Sequence, residues 1–374
     1  AMAGGALLCS TGKAISLVRL RDAEPWAEQV WREELPDEPA SMAVADGKLF
    51  VSTLGGRLLC YGTGEVAPPP PSLTPALPAA QPDSWTSRVA DILRVTGVTE
   101  GYCLCRGIEN GRLILELARQ SKLHVIGIDS DERKVDRLRR HIDALGLYGE
   151  RVALIVAEPS EAALPPYVAA LTVSETASAG GSADADASAV RSLFEPIRPY
   201  GGVACLQLPP QQHQRLAATV ADAQLTGAEV ERSGDWTLLK RVGPLPGSGS
   251  WTHQYGDAAN TVVSPDSAVR APLGLLWFGG SSNVDILPRH GHGPPEQVLG
   301  GRLFIEGPNS LRAQDVYTGR VIWQRDLPGF GKAYDNTSHQ PGANSLGSNY
   351  SSAPDGIYVV YEGRCLRLNP AGGE

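Results

Sequence analysis

The chain has 374 residues, 42% of them hydrophobic and 20% charged, a composition that can bury a core and excludes disorder of the whole. Its 41 acidic and 33 basic residues give a net charge of −8, which argues against nucleic acid or an anionic membrane as the main partner. No apolar run approaches the ~18 residues that a membrane-spanning helix needs.

Residues 1–66 read as all-β. The stretch "DGKLFVSTLGGRLLCYG", residues 46–62, is two alternating strands joined at a Gly-Gly turn. Residues 67–82, "APPPPSLTPALPAAQP", form a stiff extended linker, because proline fixes φ and removes backbone donors.

Residues 83–242 change texture. Apolar bursts at 102–105, 124–128, 152–156, 168–173 and 203–208 are separated by helical stretches, which predicts βαβ units on a parallel sheet. The helix after Asp129 carries Val135, Leu138, Ile142 and Leu145 at three- and four-residue steps, with Asp131 and Glu132 in its first turn and Gly146 at its end. "GDWTLLKR", preceded by "AEVER", reads as a closing antiparallel hairpin. Between the first strand and its helix, Gly107 and Gly111 let the backbone approach a ligand at the positive end of a helix dipole. Asp129 ends the next strand, where a carboxylate accepts ribose hydroxyls.

On these residues the middle segment resembles a class I S-adenosylmethionine-dependent methyltransferase domain, which implies an α/β, Rossmann-like fold on a mostly parallel seven-stranded sheet. The resemblance implies S-adenosylmethionine as cofactor, bound by Gly107, Glu109, Gly111 and Asp129, with Glu158 of "AEPSEAALP" near the adenine. "YVAALTVSET" looks like the family's fourth strand, whose end faces the methyl group, and Glu175 there is the candidate general base. "TASAGGSADADASAV" reads as a lid or acceptor loop. A dinucleotide oxidoreductase shares the opening, but the "RPYGG" turn before strand five and the final hairpin favour the methyltransferase.

Two departures stand out. The family's acidic residue two places before the first glycine is Cys105 here, and its middle glycine is Glu109. A Glu109 carboxylate ~4 Å from the cofactor's own would cost ~1 to 4 kcal/mol. Relief is expected if Glu109 turns to Arg106 or Arg112, or meets the cofactor's ammonium.

Residues 243–374 return to β texture, in "GGRLFIEGPNSLRAQDVYTGRVIWQRDLPG" and "DGIYVVYEGRCLRLNP". "AQDVYTGRVIW" resembles the tryptophan-docking motif of pyrroloquinoline-quinone-type β-propellers, and "NPAGGE" looks like the start of another copy. The resemblance implies that the Asp and the Thr-Gly turn shape a loop and that Trp323 packs between blades, with Trp31 and Trp277 doing similar work. The chain then reads as a partial β-propeller into which the methyltransferase-like domain is inserted. Its outer segments suffice for only four or five blades of ~40 to 50 residues, so the ring is expected to be incomplete and to self-associate through exposed edges.

The six cysteines, at 9, 60, 103, 105, 205 and 365, have neither CxxC nor zinc-finger spacing, so neither a disulfide framework nor a metal site is expected. His290 and His292 stand two apart and are read as part of an ordered loop, with chelation as the alternative; His253, Asn336, His339 and Asn344 are candidates for a polar site near residues 333–352. Three functions compete: methyl transfer to an unknown acceptor, with the propeller recruiting the acceptor or a protein partner; a non-catalytic scaffold; and a quinoprotein oxidoreductase.

Overall fold

The computed structural model describes residues 2–63, 82–176, 186–280, 285–287, 293–334 and 343–374. They belong to two compact units, 1–73 and 74–374. In the first unit, β1 (Met2–Ala3), β2 (Ala6–Thr11), β3 (Ala14–Leu20) and β4 (Ala27–Glu34) form one antiparallel meander, and β5 (Pro39–Ala45), β6 (Lys48–Thr53) and β7 (Leu58–Tyr61) form another. The expected hairpin of residues 46–62 is β6–β7, with Leu49 opposite Tyr61. Leu8, Ile15, Leu35, Leu49 and Val51 make the core, and Trp31 meets Tyr61 edge-on at 5.4 Å. The expected linker lies outside the described residues except for Pro82.

The second unit begins with α1 (Ser84–Thr96), whose cap residue Asp83 makes a capping box with Thr86. There follow β8 (Glu100–Arg106), α2 (Arg112–Gln120), β9 (Lys122–Asp129), α3 (Glu132–Ala144), β10 (Val152–Val156) and β11 (Ala169–Val173). The domain closes with α4 (Ala187–Phe194), β12 (Gly202–Gln207), α5 (Pro210–Asp222), β13 (Ala228–Ser233) and β14 (Trp236–Arg241). The seven strands lie in the order β10-β9-β8-β11-β12-β14-β13. The first five are parallel and β14 alone runs antiparallel to its neighbours. α3 buries Val135, Leu138 and Ile142 on the expected face, and Asp131 caps it by accepting from Lys134 N at 3.0 Å. Cys103 and Cys105 are fully buried, and burial pushes both thiols up, so they pack as small apolar groups. The strand order reverses between β8 and β11, which opens a crevice at their carboxyl ends.

Residues 251–280 contain no strand among those described. β15 (Gln297–Leu299), β16 (Arg302–Gly307), β17 (Ser310–Asp315) and β18 (Val321–Asp326) then form a four-stranded meander. The short helix α6 (Ala343–Leu346) precedes a three-stranded one of β19 (Tyr350–Ala353), β20 (Gly356–Tyr361) and β21 (Arg364–Leu368). The two share a core in which Phe304, Leu311 and Trp323 meet Tyr350, Ile357 and Leu368.

Two tryptophans dock on equivalent turns. Trp277 Nε1 donates to Val316 O at 2.9 Å and its ring lies where a Cβ on Gly319 would stand. Trp323 Nε1 donates to Pro370 O at 3.0 Å and its ring covers Gly373 in the same way, at 2.6 Å. Each turn is closed alike: Gly319 N bonds Asp315 O and Gly373 N bonds Asn369 O, both at 2.8 Å, while Asp315 Oδ1 and Asn369 Oδ1 each accept at 2.9 Å from the residue two further on. "DVYTG" and "NPAGG" are thus two copies of one turn, and neither glycine can carry a side chain without displacing an indole.

The same loop carries the α/β domain. Arg198 pairs with Asp315, Tyr167 meets Tyr317 edge-on at 5.6 Å, and Arg320 reaches Glu100 at 3.4 Å. Glu100 opens β8 and Arg198 precedes β12, so the amino ends of the strands rest on the meander and the carboxyl ends lie on the opposite edge.

Candidate functional site

β8 ends at Arg106 and α2 begins at Arg112, and the turn between them needs two left-handed residues: Gly107 has φ 85° and Gly111 φ 81°. A Cβ on Gly111 would also lie 3.0 Å from Leu138 Cδ2. Glu109 has no left-handed backbone, so this turn does not require glycine at the family's middle position. Its side chain is exposed, and what the turn uses is its N–H.

That N–H points at Glu175. Two residues beyond β11 and 3% exposed, Glu175 accepts through Oε2 from Glu109 N at 2.8 Å, Asn110 N at 3.2 Å and Gly111 N at 2.9 Å, and through Oε1 from Leu113 N at 3.0 Å. Its own N–H donates to Gly107 O at 3.2 Å. Asn110 Oδ1 takes the remaining donor, Arg112 N, at 3.0 Å. The start of α2 would otherwise leave these N–H groups unpaired, so Glu175 is an anionic cap supplied from another strand. Cys105 stands where the resembled family has its acid, and in the sheet it lies opposite Val173. The neighbouring strand therefore brings a carboxylate beneath the turn that the turn's own strand lacks. Although the sequence pointed to Glu175 as a general base, both its oxygens are engaged by the turn.

Asp129 joins the turn from the other side. Its Oδ2 accepts from Ile108 N at 2.9 Å and from Lys134 Nζ at 2.7 Å, and its Oδ1 accepts from Asp131 N at 2.9 Å. Burial works to raise this carboxyl, but Lys134 and the two N–H groups outweigh it and hold the carboxyl below its ordinary range. Lys134 also caps Ile108 O at 2.6 Å. Glu158 is exposed on the turn after β10.

The relief expected for Glu109 does not come from arginine. Arg106 turns away to Pro159 O and to Ser192 O at 3.0 Å and Ser192 Oγ at 3.1 Å, while Arg112 pairs with Asp83 at 2.7 Å and Glu116 at 3.0 Å. Arg106 is thus held by part-buried groups and Arg112 by the buried Glu116 together with the exposed Asp83.

On the far side of Glu109 and Glu175 a cavity of about 660 Å³ opens at the ends of β11 and β12, roofed by Arg88 of α1 and walled by Trp236 of β14. Arg88 and Lys134 escaped the sequence reading. Lys134 had a signal, since it sits in the first turn of a helix that follows a ribose-type acid; Arg88 had none beyond its place on a helix.

No group of three or more histidine, cysteine or acidic side chains stands at metal-binding spacing among the described residues. His290, His292, Asn336, His339 and residues 177–185 of the expected acceptor loop lie outside them, while residues 187–190 of that expected loop form the first turn of α4, capped by Asp186. Asn344 falls in α6, and His253 Nδ1 lies 2.9 Å from Thr252 Oγ1. No described helix is long and apolar enough to cross a membrane.

The sequence matches no protein-family model and no curated protein. Among solved structures the chain is similar to a SAM-dependent methyltransferase from Aquifex aeolicus, at 18% identity over 41% of this chain and 89% of that one, with a TM-score of 0.32. It is similar to a SAM-dependent O-methyltransferase from Thermotoga maritima at 14% identity over 63% and 96%, with a TM-score of 0.34. A TehB-like SAM-dependent methyltransferase from Corynebacterium glutamicum matches at 17% identity over 43% and 88%, with a TM-score of 0.32. All three scores lie below 0.5, and the fold assignment rests on the strand order.

Proposed function

We propose that residues 83–242 bind S-adenosylmethionine and transfer its methyl group to an acceptor held in the cavity at the ends of β11 and β12. One observation carries this reading: Asp129 is hydrogen-bonded to the glycine turn through Ile108 N at 2.9 Å, so the ribose acid and the ligand-approach turn form a single unit beside that cavity. Gly107, Gly111 and Asp129 are the residues that would hold the cofactor, which when bound supplies a methyl group already activated on a sulfonium. Glu175 holds the turn in shape, as a positioning residue. The α/β domain needs only to orient its two ligands and exclude water. The antiparallel meanders, with tryptophan docking repeated at Gly319 and Gly373, support propeller blades as the scaffold that carries the domain and recruits its acceptor.

A second reading is a non-catalytic scaffold, and Lys134 favours it. Its ammonium, 2.7 Å from Asp129 Oδ2, occupies one of the carboxylate lone pairs otherwise open to a ribose hydroxyl. Calorimetric titration with S-adenosylhomocysteine separates the two readings. Methyl transfer requires wild-type binding that Asp129→Asn weakens at least tenfold; absence of binding by both the wild type and Glu109→Gly makes the domain a scaffold.

A further inference from the structure

Arg88 lines the cavity as a cation that has aromatic neighbours but no anion among the described residues. Its guanidinium lies 5.0 Å from the centroid of Trp85 and 5.6 Å from that of Trp236, so two indole rings fix its position. Among the described residues it makes no hydrogen bond and no ion pair, and its Nε is buried without a partner. The carboxylate one helical turn on, Asp91, does not help: Trp236 Nε1 donates to it at 2.6 Å and Arg94 pairs with it. Arg232, which also lines the cavity, bonds Leu208 O at 3.1 Å and has no carboxylate partner among the described residues. Of the three acids that line the cavity, Glu175 is held by four backbone N–H groups, and Glu109 and Asp235 are exposed and make no bond to Arg88.

A guanidinium without an anion at the edge of a cavity is a bidentate donor set waiting for one, and stacking on indoles leaves its in-plane donors free for that purpose. Apolar side chains stand beside it, Ile92, Leu208, Pro209, Pro210 and the Trp236 ring, interspersed with the polar Gln207, Gln212 and Asp235. From this combination we infer that the cavity binds a planar aromatic carboxylate, with the carboxylate on Arg88 and the ring against Trp236. Its identity as the methyl acceptor rests on the function proposed above; its binding does not.

The test uses the full chain without cofactor and follows ¹⁹F NMR titrations of 4-fluorobenzoate and its neutral isostere 4-fluorobenzamide. The benzoate is expected to bind at least tenfold more tightly than the benzamide, and Arg88→Met is expected to bring the two to equal, weak affinity. Trp236→Phe should weaken both probes together. Equal affinity of the two probes for the wild type, binding of neither, or a preference that survives in Arg88→Met overturns the inference. The wild-type ratio needs no variant, so a misfolded Arg88→Met leaves it decisive. Failure of S-adenosylhomocysteine to bind would remove the acceptor role and leave this comparison standing.

Discussion

Glu175 and Glu306 are buried alike, at 3% and 4% exposure, yet their surroundings are opposites. Glu175 receives four backbone N–H groups. Glu306, on β16, receives among the described residues one side-chain amide, Asn349 Nδ2 at 2.9 Å, and neither its Oε2 nor Asn349 Oδ1, both buried, has a partner among them. The difference comes from topology. A strand that turns into a helix on a parallel sheet exposes the unpaired N–H groups of the helix start at its carboxyl edge. An antiparallel meander consumes its donors in the ladder, as β16 and β17 do from Arg302–Asp315 to Gly307–Ser310. Free backbone donors for a carboxylate are therefore found at the α/β edge, and a carboxyl buried in the meander has little to hold its charge.

The largest test of that contrast is Glu175→Ala. Removing the cap leaves four N–H groups at the start of α2 without their acceptor, and a loss of ~3 kcal/mol is expected in denaturant unfolding. Glu175→Gln can keep its amide oxygen at the three-donor position and turns its NH2 only toward Leu113 N, so it should recover part of the loss. If both variants unfold within ~0.5 kcal/mol of wild type, water replaces the carboxylate freely and the turn is not organised by it.

Glu306 is tested by pH. Burial, opposed only by the Asn349 bond, pushes its carboxyl up to about 8 from an ordinary 4.5. Folded chain thus keeps the proton between those values while unfolded chain has lost it. Its contribution is complete below about pH 4.5 and disappears as pH rises through about 8. Against Glu306→Gln, wild-type stability should fall on the order of a few kcal/mol across that window. A pH-independent difference between the two would show that Glu306 has a partner for its charge after all.

Gly111→Ala probes the backbone of the turn. With φ at 81° and Leu138 Cδ2 3.0 Å from the new Cβ, a cost of ~1 to 2 kcal/mol is expected. Glu109→Gly should change stability by less than ~1 kcal/mol, since position 109 has no left-handed backbone to relieve.

Much of this was legible in the chain. The five apolar bursts fall on β8 to β12, the spacing of Val135, Leu138 and Ile142 sets the buried face of α3, and "AQDVYTGRVIW" located a docking tryptophan. Those signals are local, each contained within one element or one turn. The role of Glu175 was not legible, because it depends on the register that sets Cys105 against Val173 and so brings residue 175 beneath a turn 64 residues earlier in the chain. Arg88 was hidden for the same reason: its two indole partners include Trp236, from the last strand of the sheet. A lone arginine on a helix reads as solvated until the sheet closes beneath it.

The smallest expected effect is the most discriminating for the cofactor. Lys134→Met leaves Asp129 its bonds from Ile108 N and Asp131 N but frees the lone pair that the ammonium occupies at 2.7 Å. The ion pair is partly exposed on the lysine side, so stability should fall by no more than ~1 kcal/mol. Because Asp129 is held below its ordinary 3.8, the loss should be present above that pH and fade as pH drops through the folded value. A ribose diol competes with Lys134 for the same oxygen, so S-adenosylhomocysteine should bind about threefold more tightly to the variant, a gain of ~0.6 kcal/mol. Weaker binding would mean that the ammonium helps grip the nucleoside. Asp129 would then be a charge-balanced half of the site, and the α/β edge would depend on side-chain cations as well as on its backbone donors.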